Sequence, residues 1–291
     1  MIGPQQKYRG KRMPDWASIL AELGVADETP LPVSGGDISA AWRVGDLFLK
    51  TGPVTSFDMF SAEAEGLEEL AAAQAVRVPR VQGCNIVSDT AFIALEWLEF
   101  ERPTRDTEAR FGEQLAALHQ VTQQRFGWHR DNTIGLTPQR NDPSDNWVDF
   151  FREHRLGFQL RLARENGFSG SLQAQGAQLL KRLPVFFEDY EPRPALLHGD
   201  LWGGNWGSCD GAPVIFDPAV YYGDPESDLA MTRLFGGFGR AFYDAYAERM
   251  PPASGSHDRS DLYQLYHVLN HLNLFGSAYL GRAQDLIHHL L

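Results

Sequence analysis

Three side chains that could hold a metal ion or accept a proton lie close together in the chain: Asp200, Asn205 and Asp217. Asp200 and Asn205 are five residues apart, and Asp217 follows the apolar run Val214 to Phe216, which is typical of a short strand. In kinases a catalytic-loop Asp accepts the proton of the substrate hydroxyl, a later Asn holds one magnesium ion, and an Asp after a strand holds the other. The segment Leu197 to Trp206, taken with Asp217, therefore predicts a phosphotransfer centre with Asp200 as base and two Mg²⁺ ligands.

An upstream group of residues fits the nucleotide side of the same chemistry. Gly35 and Gly36 form a predicted turn, and Lys50 ends a predicted strand that follows it. Kinases cover the phosphates of ATP with a glycine-rich hairpin and anchor them with a strand lysine. Glu63 lies early on a helix predicted from Phe57 to Ala73, where it could pair with Lys50. Alone, the glycines also fit a plain hairpin turn and Lys50 a surface lysine, but the order of the parts favours an ATP site.

The elements that must position these residues predict an α+β, bilobal, protein-kinase-like fold. Residues 1–98 are predicted as the ATP-binding lobe, with an antiparallel sheet, one long helix and a mobile basic arm at 1–14. Strands are predicted at 76–81, with Pro79 suiting an edge, and at 92–98. The second strand runs into a turn-rich segment, so we expect a hinge there. Its backbone, around Glu96 and Leu98, would pair with adenine.

Residues 99–291 are predicted as a larger, mostly helical lobe with the catalytic loop and the acceptor site. The predicted helices are 110–120, 145–166, 171–183, 229–235 and, with a break at 251–256, 240–291. The long segment Phe126 to Asp145 contains Gly, Pro and Asn, which indicates a loop. Two interpretations stay open for it: a cover over the acceptor, contacted by Trp128, Asn132 and Thr133, or an ordered surface loop.

Aromatic and acidic side chains around the centre are the predicted acceptor contacts: Trp202, Tyr221, Tyr222 and Asp224. Asp228 opens a predicted apolar helix, so an N-cap or a brace for the loop is favoured over direct catalysis. Of four glutamates on the Glu63 helix, the other three, Glu65, Glu68 and Glu69, are expected on a solvated face. His267 and His271 stand one turn apart but lack the Glu and third ligand of a zinc site, which favours core or surface histidines.

Composition excludes several classes of protein. The 291 residues carry 26 basic and 38 acidic side chains, a net charge of -12, which argues against nucleic-acid binding. This acidity is compatible with an amine-bearing substrate, although solubility explains it more simply. No apolar run approaches the roughly 18 residues that span a bilayer. Two cysteines, Cys84 and Cys209, form no disulfide framework, so a cytoplasmic location is expected. Oligomeric state is not decided by the sequence.

Several motifs resemble the fructosamine kinase (ketosamine 3-kinase) family, which belongs with the aminoglycoside phosphotransferases in the protein-kinase-like fold. The narrowest are Leu-His-Gly-Asp-Leu-Trp-Gly-Gly-Asn ending at Asn205 and Phe-Asp-Pro-Ala around Asp217. The similar stretches lie within roughly residues 30 to 285, nearly the whole chain. The resemblance implies phosphorylation, dependent on ATP and Mg²⁺, of a sugar hydroxyl on a small-molecule or protein-linked ketoamine. Some members carry a Cys in the glycine-rich turn; this chain has Gly36-Asp37-Ile38, so redox control there is not expected.

Two alternatives remain at the level of sequence. One is a kinase of another amino-bearing hydroxyl compound, such as an aminoglycoside or a choline-like alcohol, because the fold does not fix the acceptor. The other is a catalytically silent nucleotide-binding protein. The joint presence of Lys50, Glu63, Asp200, Asn205 and Asp217 argues against silence, since a silent protein has no need of all five.

Overall fold

A computed structural model gives the fold and describes residues 14–33 and 39–291. The predicted basic arm, apart from its last residue, lies outside the described residues. The same holds for Gly35 and Gly36 of the predicted turn.

A five-stranded antiparallel sheet with a helix on each face forms the N-terminal lobe, and its strand order is β1-β2-β3-β5-β4. Its elements are α1 (Trp16–Glu22), β1 (Leu31–Pro32), β2 (Ala40–Val44), β3 (Leu47–Pro53), α2 (Phe57–Ala72), β4 (Val81–Val87) and β5 (Thr90–Glu96). Side chains alternate along β5: Phe92 and Ala94 pack toward α1, whereas Ile93 and Leu95 pack toward α2. This alternation buries both faces and fixes α2 against the sheet.

The strand predicted at 76–81 is wrong. Strand β4 begins at Val81, and the preceding residues run as an extended segment along the other lobe, where the Ile215 N–H donates to the Arg77 carbonyl at 3.0 Å. Val76 and Val78 are buried in a core cluster that contains residues of both lobes, which explains the strand-like pattern. The predicted edge position is nevertheless kept, because β4 is the outer strand of the sheet.

Helices dominate the C-terminal lobe, as expected. They are α3 (Arg105–Leu118), α4 (Trp147–Phe150), a π-helical segment (Phe151–Leu156), α5 (Gly157–Glu165), α6 (Ser171–Arg182), α7 (Glu226–Leu234), α8 (Arg240–Arg249), α9 (Ser256–Phe275) and α10 (Leu280–Leu290). Helix α3 starts one turn earlier than predicted, because Thr104 caps it by accepting from the Thr107 N–H. Helix α9 is buried along most of its length and packs against α7 and α10. No described helix is long and apolar enough to span a bilayer.

Short two-stranded sheets carry the catalytic segments. Strand β8 (Ala195–Leu197) pairs with β11 (Tyr221–Gly223), and β9 (Trp206–Cys209) pairs with β10 (Ala212–Ile215). A further hairpin joins β6 (Asn132–Ile134) to β7 (Thr137–Gln139). The loop from β8 to β9 and the loop from β10 to β11 therefore face each other, and they hold Asp200, Asn205 and Asp217.

Candidate active site

The structure brings the three predicted centre residues together. The Asn205 side-chain amide donates to the Asp200 carbonyl at 2.9 Å, to the Asp200 carboxylate at 3.3 Å and to the Asp217 carbonyl at 3.4 Å. The Asn205 carbonyl in turn accepts from the Phe216 N–H at 3.0 Å. Asn205 thus ties the two loops to each other and leaves its amide oxygen for another partner.

Lys50 joins the N-terminal lobe to this centre. Its ammonium lies 2.7 Å from Glu63 Oε1 and 2.6 Å from Asp217 Oδ1. Burial would lower the pKa of Lys50, but the charges of Asp217 and Glu63 outweigh it and the pKa is raised. Lys50 is therefore a cation held between the carboxylates of Glu63 and Asp217, as a phosphate anchor requires.

Asp200 is half-buried, and no described residue donates to its Oδ1 atom. Burial, then the nearby charges of Asp217 and Asp228, raise the pKa of Asp200 to about 7, against a lowering by the Asn205 hydrogen bond. A carboxylate of raised pKa with one oxygen that no described residue bonds is suited to accept a proton from a bound hydroxyl.

Asp228 braces the catalytic loop from behind. Its carboxylate accepts from the N–H groups of His198 at 2.8 Å and Gly199 at 2.9 Å, and lies 3.3 Å from His119 Nε2. His119 is held in turn by the Tyr246 hydroxyl at 2.8 Å. Burial would raise the pKa of Asp228, but the His119 contacts and the backbone donors lower it. Asp228 lies inside the first turn of α7, so of the two predicted roles the structure shows the brace.

Two further residues of the loop have roles that sequence reasoning missed, although the His-Gly-Asp triplet was the available signal. His198 is fully buried; its Nε2 donates to the Phe216 carbonyl at 3.0 Å and its Nδ1 accepts from the Asp200 N–H at 3.3 Å. Burial lowers the pKa of His198, so the neutral ring links Asp200 to the Asp217 loop. Gly199 has φ +82° and a Cβ there would lie 2.0 Å from the Ala219 carbonyl oxygen, so only glycine fits.

The predicted hinge lies at the end of β5. The Glu96 carboxylate pairs with Arg77 at 3.0 Å and with Arg80 at 3.5 Å. The Glu96 side chain therefore stabilises the hinge through ion pairs. The Trp97 N–H donates to the Asp46 carbonyl. The N–H of buried Leu98 finds no acceptor among the described residues, which leaves it available for an adenine edge.

The four predicted acceptor contacts separate by exposure. Trp202 is 39% exposed and packs edge-on against the exposed ring of Phe235 at 6.3 Å. Tyr221 is buried beneath the Arg155 guanidinium, and the Tyr222 hydroxyl donates to Glu69 at 2.6 Å. Asp224 is fully buried and accepts from Tyr190, Tyr263 and the Glu226 N–H. Only Trp202 presents an open surface; the burial of the other three does not support acceptor contact.

The segment Phe126 to Asp145 does not cover the cleft as a lid. Trp128 is buried, Asn132 donates to the Val220 carbonyl at 2.7 Å, and Gln139 donates to the Ala219 carbonyl at 3.0 Å. Buried hydrogen bonds thus fasten the segment to the chain just after Asp217. Of the two interpretations, the ordered loop is right, and Trp128 and Asn132 serve packing rather than the acceptor.

Magnesium fits the donor set at the centre. Carboxylate and amide oxygens of Asp217 and Asn205 are hard ligands, which Mg²⁺ completes with water and phosphate oxygens. Among the described residues no cluster of three or more His, Cys, Asp and Glu could hold a metal by itself. The centre therefore suits an ion that arrives with nucleotide phosphates rather than a protein cage.

The family comparison gives the class of enzyme: a phosphotransferase with an alcohol group as acceptor. The sequence model of the fructosamine kinase family matches residues 18–291. The chain belongs to the fructosamine kinase family.

Relatives agree along nearly the whole chain. A protein of Synechocystis sp. named a probable ketoamine kinase is 47% identical over 288 residues, covering 95% of this chain and 97% of its own. The chloroplastic protein-ribulosamine 3-kinase of Arabidopsis thaliana is 40% identical and covers 88% of this chain and 80% of its own.

Solved structures show the same fold. A Haemophilus somnus protein provisionally named a fructosamine-3-kinase has a TM-score of 0.86 at 31% identity, over 95% of this chain and 97% of that one. An ADP-bound aminoglycoside phosphotransferase has a TM-score of 0.64 at 15% identity, over 94% of this chain and 95% of that one, and shows the fold alone.

Proposed function

We propose that this protein transfers the γ-phosphoryl group of ATP to a sugar hydroxyl of a ketoamine, with Asp200 as the general base. The observation that carries the proposal is the open Oδ1 of Asp200, placed beside Asn205 and Asp217 on one side and the Lys50–Glu63 pair on the other. The names of the relatives in Synechocystis and Arabidopsis support the ketoamine as acceptor class.

The residues divide the reaction between them. Asp200 orients the acceptor hydroxyl and takes its proton as the phosphoryl group is transferred in line. Lys50, steadied by Glu63, binds the phosphates of ATP and offsets their charge, and the predicted turn at Gly35 and Gly36 would cover them. Asn205 and Asp217 would hold Mg²⁺, which supplies charge stabilisation to the transferring phosphoryl group.

The neutral histidine of the loop keeps this arrangement. Because His198 bonds both the Asp200 N–H and the Phe216 carbonyl, the base and the metal-binding Asp217 move as one unit. Preorganised groups of this kind lower the cost of rearrangement in the transition state.

We place the lobe boundary after Leu98. The N–H of Leu98, which has no acceptor among the described residues, would pair with adenine.

The acceptor side is proposed to run from Trp202 along a row of exposed and half-buried rings. Phe235 lies 6.3 Å from Trp202 and 4.8 Å from His271, and Phe275 and Tyr279 continue the row from His271 at 5.5 and 5.2 Å. The amine of a ketoamine is protonated near neutral pH, and a cation is attracted to aromatic faces. The row of rings therefore fits an amine-bearing acceptor, either free or protein-linked. We place the reaction in the cytoplasm.

A phosphorylation panel tests the proposal. Purified protein with Mg-ATP is offered ribulosyl-lysine, fructosyl-lysine, kanamycin and choline, and products are followed by mass spectrometry. We expect a phosphorylated ketoamine and at least about 100-fold lower kcat/KM with the other two acceptors. Efficient transfer to kanamycin or choline would instead select the alternative acceptor class, which the fold by itself does not exclude. No transfer to any acceptor would refute both.

A further inference from the structure

Helix α2 carries Glu63 toward the cleft and several polar residues toward the C-terminal lobe. Asp58, Ser61 and Glu65 follow one another along that side of the helix and are met by a single side chain, Arg130. The guanidinium donates to Ser61 Oγ at 3.1 Å and to the Asp58 carbonyl at 3.3 Å, and it pairs with both carboxylates.

His129, beside Arg130, adds a second contact to the same helix. Its Nε2 lies 2.8 Å from the other oxygen of Glu65. Burial would raise the pKa of Glu65, yet His129 and then Arg130 lower it, so the carboxylate is held in its charged form. Glu65 was expected on a solvated face; its two oxygens are instead both occupied from the other lobe.

The planar guanidinium of Arg130 bonds several groups of α2 at once, whereas a surface ion pair joins only two side chains. The Arg130 side chain is 21% exposed and spans two turns of the helix. A rigid guanidinium that bonds several groups at once loses less freedom per hydrogen bond than a lysine would. Rotation of α2 about its axis would break all of these contacts together.

The segment that carries Arg130 is itself anchored in the protein interior. Asn141 donates to the Arg130 carbonyl at 3.0 Å and accepts from Arg155 Nη2 at 2.7 Å. Arg155 is fully buried, stacks on the Tyr221 ring, and pairs with no described carboxylate. Asn132 and Gln139 extend the same polar network to the Ala219 and Val220 carbonyls, immediately after Asp217 and Pro218.

We infer that the loop Phe126 to Asp145 is an intramolecular clamp that holds helix α2 in the orientation pairing Glu63 with Lys50. Arg130 and His129 are its positioning residues: their side-chain hydrogen bonds go to helix α2 rather than to Lys50, Asp200 or Asp217, and they act through Glu63. The clamp joins the two sides of the nucleotide site, because Arg130 and His129 bond α2 while Asn132 and Gln139 bond the chain just after Asp217. The part of the inference that concerns turnover rests on the proposed function.

Amide hydrogen exchange of helix α2 tests the clamp without any ligand. The variant is Arg130→Gln, and the matched control is Arg140→Gln, which breaks a 2.6 Å ion pair to Asp131 in the same loop without touching α2. We expect amides of α2 to exchange about tenfold faster in Arg130→Gln and at the wild-type rate in the control. Arg130→Lys, which keeps the charge but not the fork, should fall between.

Mg-ATP binding and turnover supply the functional readout. Arg130→Gln should bind Mg-ATP about fivefold more weakly by calorimetry and, if the proposed function is right, lower kcat by about three- to tenfold while KM for the acceptor stays constant. Arg130→Lys should restore part of both. A purely structural role would lower the melting temperature and leave kcat and nucleotide affinity unchanged below it.

The inference is overturned if α2 exchanges equally in wild type and Arg130→Gln, or if Arg140→Gln accelerates α2 as much. If the proposed function is wrong, wild type will phosphorylate no acceptor. The exchange and calorimetry comparisons would still report on the clamp in that case.

Discussion

Asp200 and Asp224 are two aspartates of one lobe with the same electrostatic signature and opposite surroundings. Burial is the largest cause in each case, and the pKa of both carboxyls is raised to about 7. Asp224 accepts from two tyrosines and a backbone N–H, so both of its oxygens are occupied. Asp200 receives a single amide at 3.3 Å and keeps Oδ1 open.

A raised pKa alone therefore does not identify a catalytic acid or base. Buried structural carboxyls acquire the same shift, because desolvation acts on both. What separates the two is that Asp200 Oδ1 has no donor among the described residues, whereas both oxygens of Asp224 accept hydrogen bonds. The sequence predicted a place in the site for both residues, and the full burial and bonding of Asp224 support only Asp200 as the proposed base.

The largest expected effect is at Asp200. Asp200→Asn removes the proton acceptor but keeps the size of the side chain, so kcat should fall by about 10²- to 10⁴-fold with Mg-ATP affinity nearly unchanged. Steady-state kinetics and calorimetry measure the two quantities. Full activity in this variant would remove Asp200 from the role of base.

The next effect separates the base from the metal ligand beside it. Asp217→Ala removes a carboxylate that touches Lys50 at 2.6 Å and is proposed to hold Mg²⁺, so Mg-ATP affinity should fall by about 100-fold. Titration calorimetry with and without Mg²⁺ checks this. If the variant binds Mg-ATP as wild type does, Asp217 is not a metal ligand.

Asp224→Ala should show the opposite profile to Asp200→Asn. It leaves the buried Tyr263 hydroxyl and other donors without an acceptor, which we expect to cost about 2–4 kcal/mol of unfolding free energy. Since no reacting group is lost, kcat should stay within about tenfold of wild type below the melting temperature. Denaturant unfolding and kinetics are the measurements; a large loss of kcat with wild-type stability would reverse the comparison.

A smaller effect is expected in the pH dependence of stability without nucleotide. The folded-state pKa of Asp224 lies above its ordinary value of 3.8, so its stabilising contribution is complete below about pH 4 and is lost as pH rises toward 7. Asp224→Asn mimics the neutral acid, and its melting temperature should therefore decline by a few degrees less than that of wild type between pH 5 and 8. Parallel melting curves for both proteins would contradict the raised pKa.

The smallest effect concerns the exposed and buried rings near Asp200. Trp202→Ala should raise KM for the acceptor by about tenfold and leave the melting temperature within about 2 °C, because the ring is 39% exposed. Tyr221→Phe removes a buried hydroxyl that interacts with Ser227 at 3.3 Å and with Arg155, and it should leave acceptor KM unchanged. An equal rise of KM in both variants would mean that burial does not sort acceptor contacts here.

Local spacing predicted the centre well, and long-range packing is what it could not supply. The five-residue offset of Asp200 and Asn205, the strand before Asp217 and the helix position of Glu63 all led to groups that meet in space. The fold class followed because these parts occur in kinase order. Such motifs are read from neighbouring residues, so one sequence suffices.

The predictions that failed share one physical reason: the residues that contact these positions lie far away in the sequence. The burial of Asp224 depends on Tyr190 and Tyr263, and the fixing of the Phe126 to Asp145 loop depends on Arg155 and on the carbonyls of Ala219 and Val220. Polar and glycine-containing composition is the same for a mobile loop and for one bonded to the interior. Likewise, Val76 and Val78 look like strand residues because the other lobe buries them.

Arg155 also bears on how the protein resists cleavage. Its guanidinium donates to the Arg140 carbonyl and to the Asn141 side chain while fully buried, so the loop cannot lift away without breaking these interior hydrogen bonds and opening the packing around Arg155. Arg130 and Arg140 are trypsin sites in that loop. Digestion there should therefore wait for unfolding of the helical lobe as a whole, and the longest loop of the C-terminal lobe would be among its last segments to be cut.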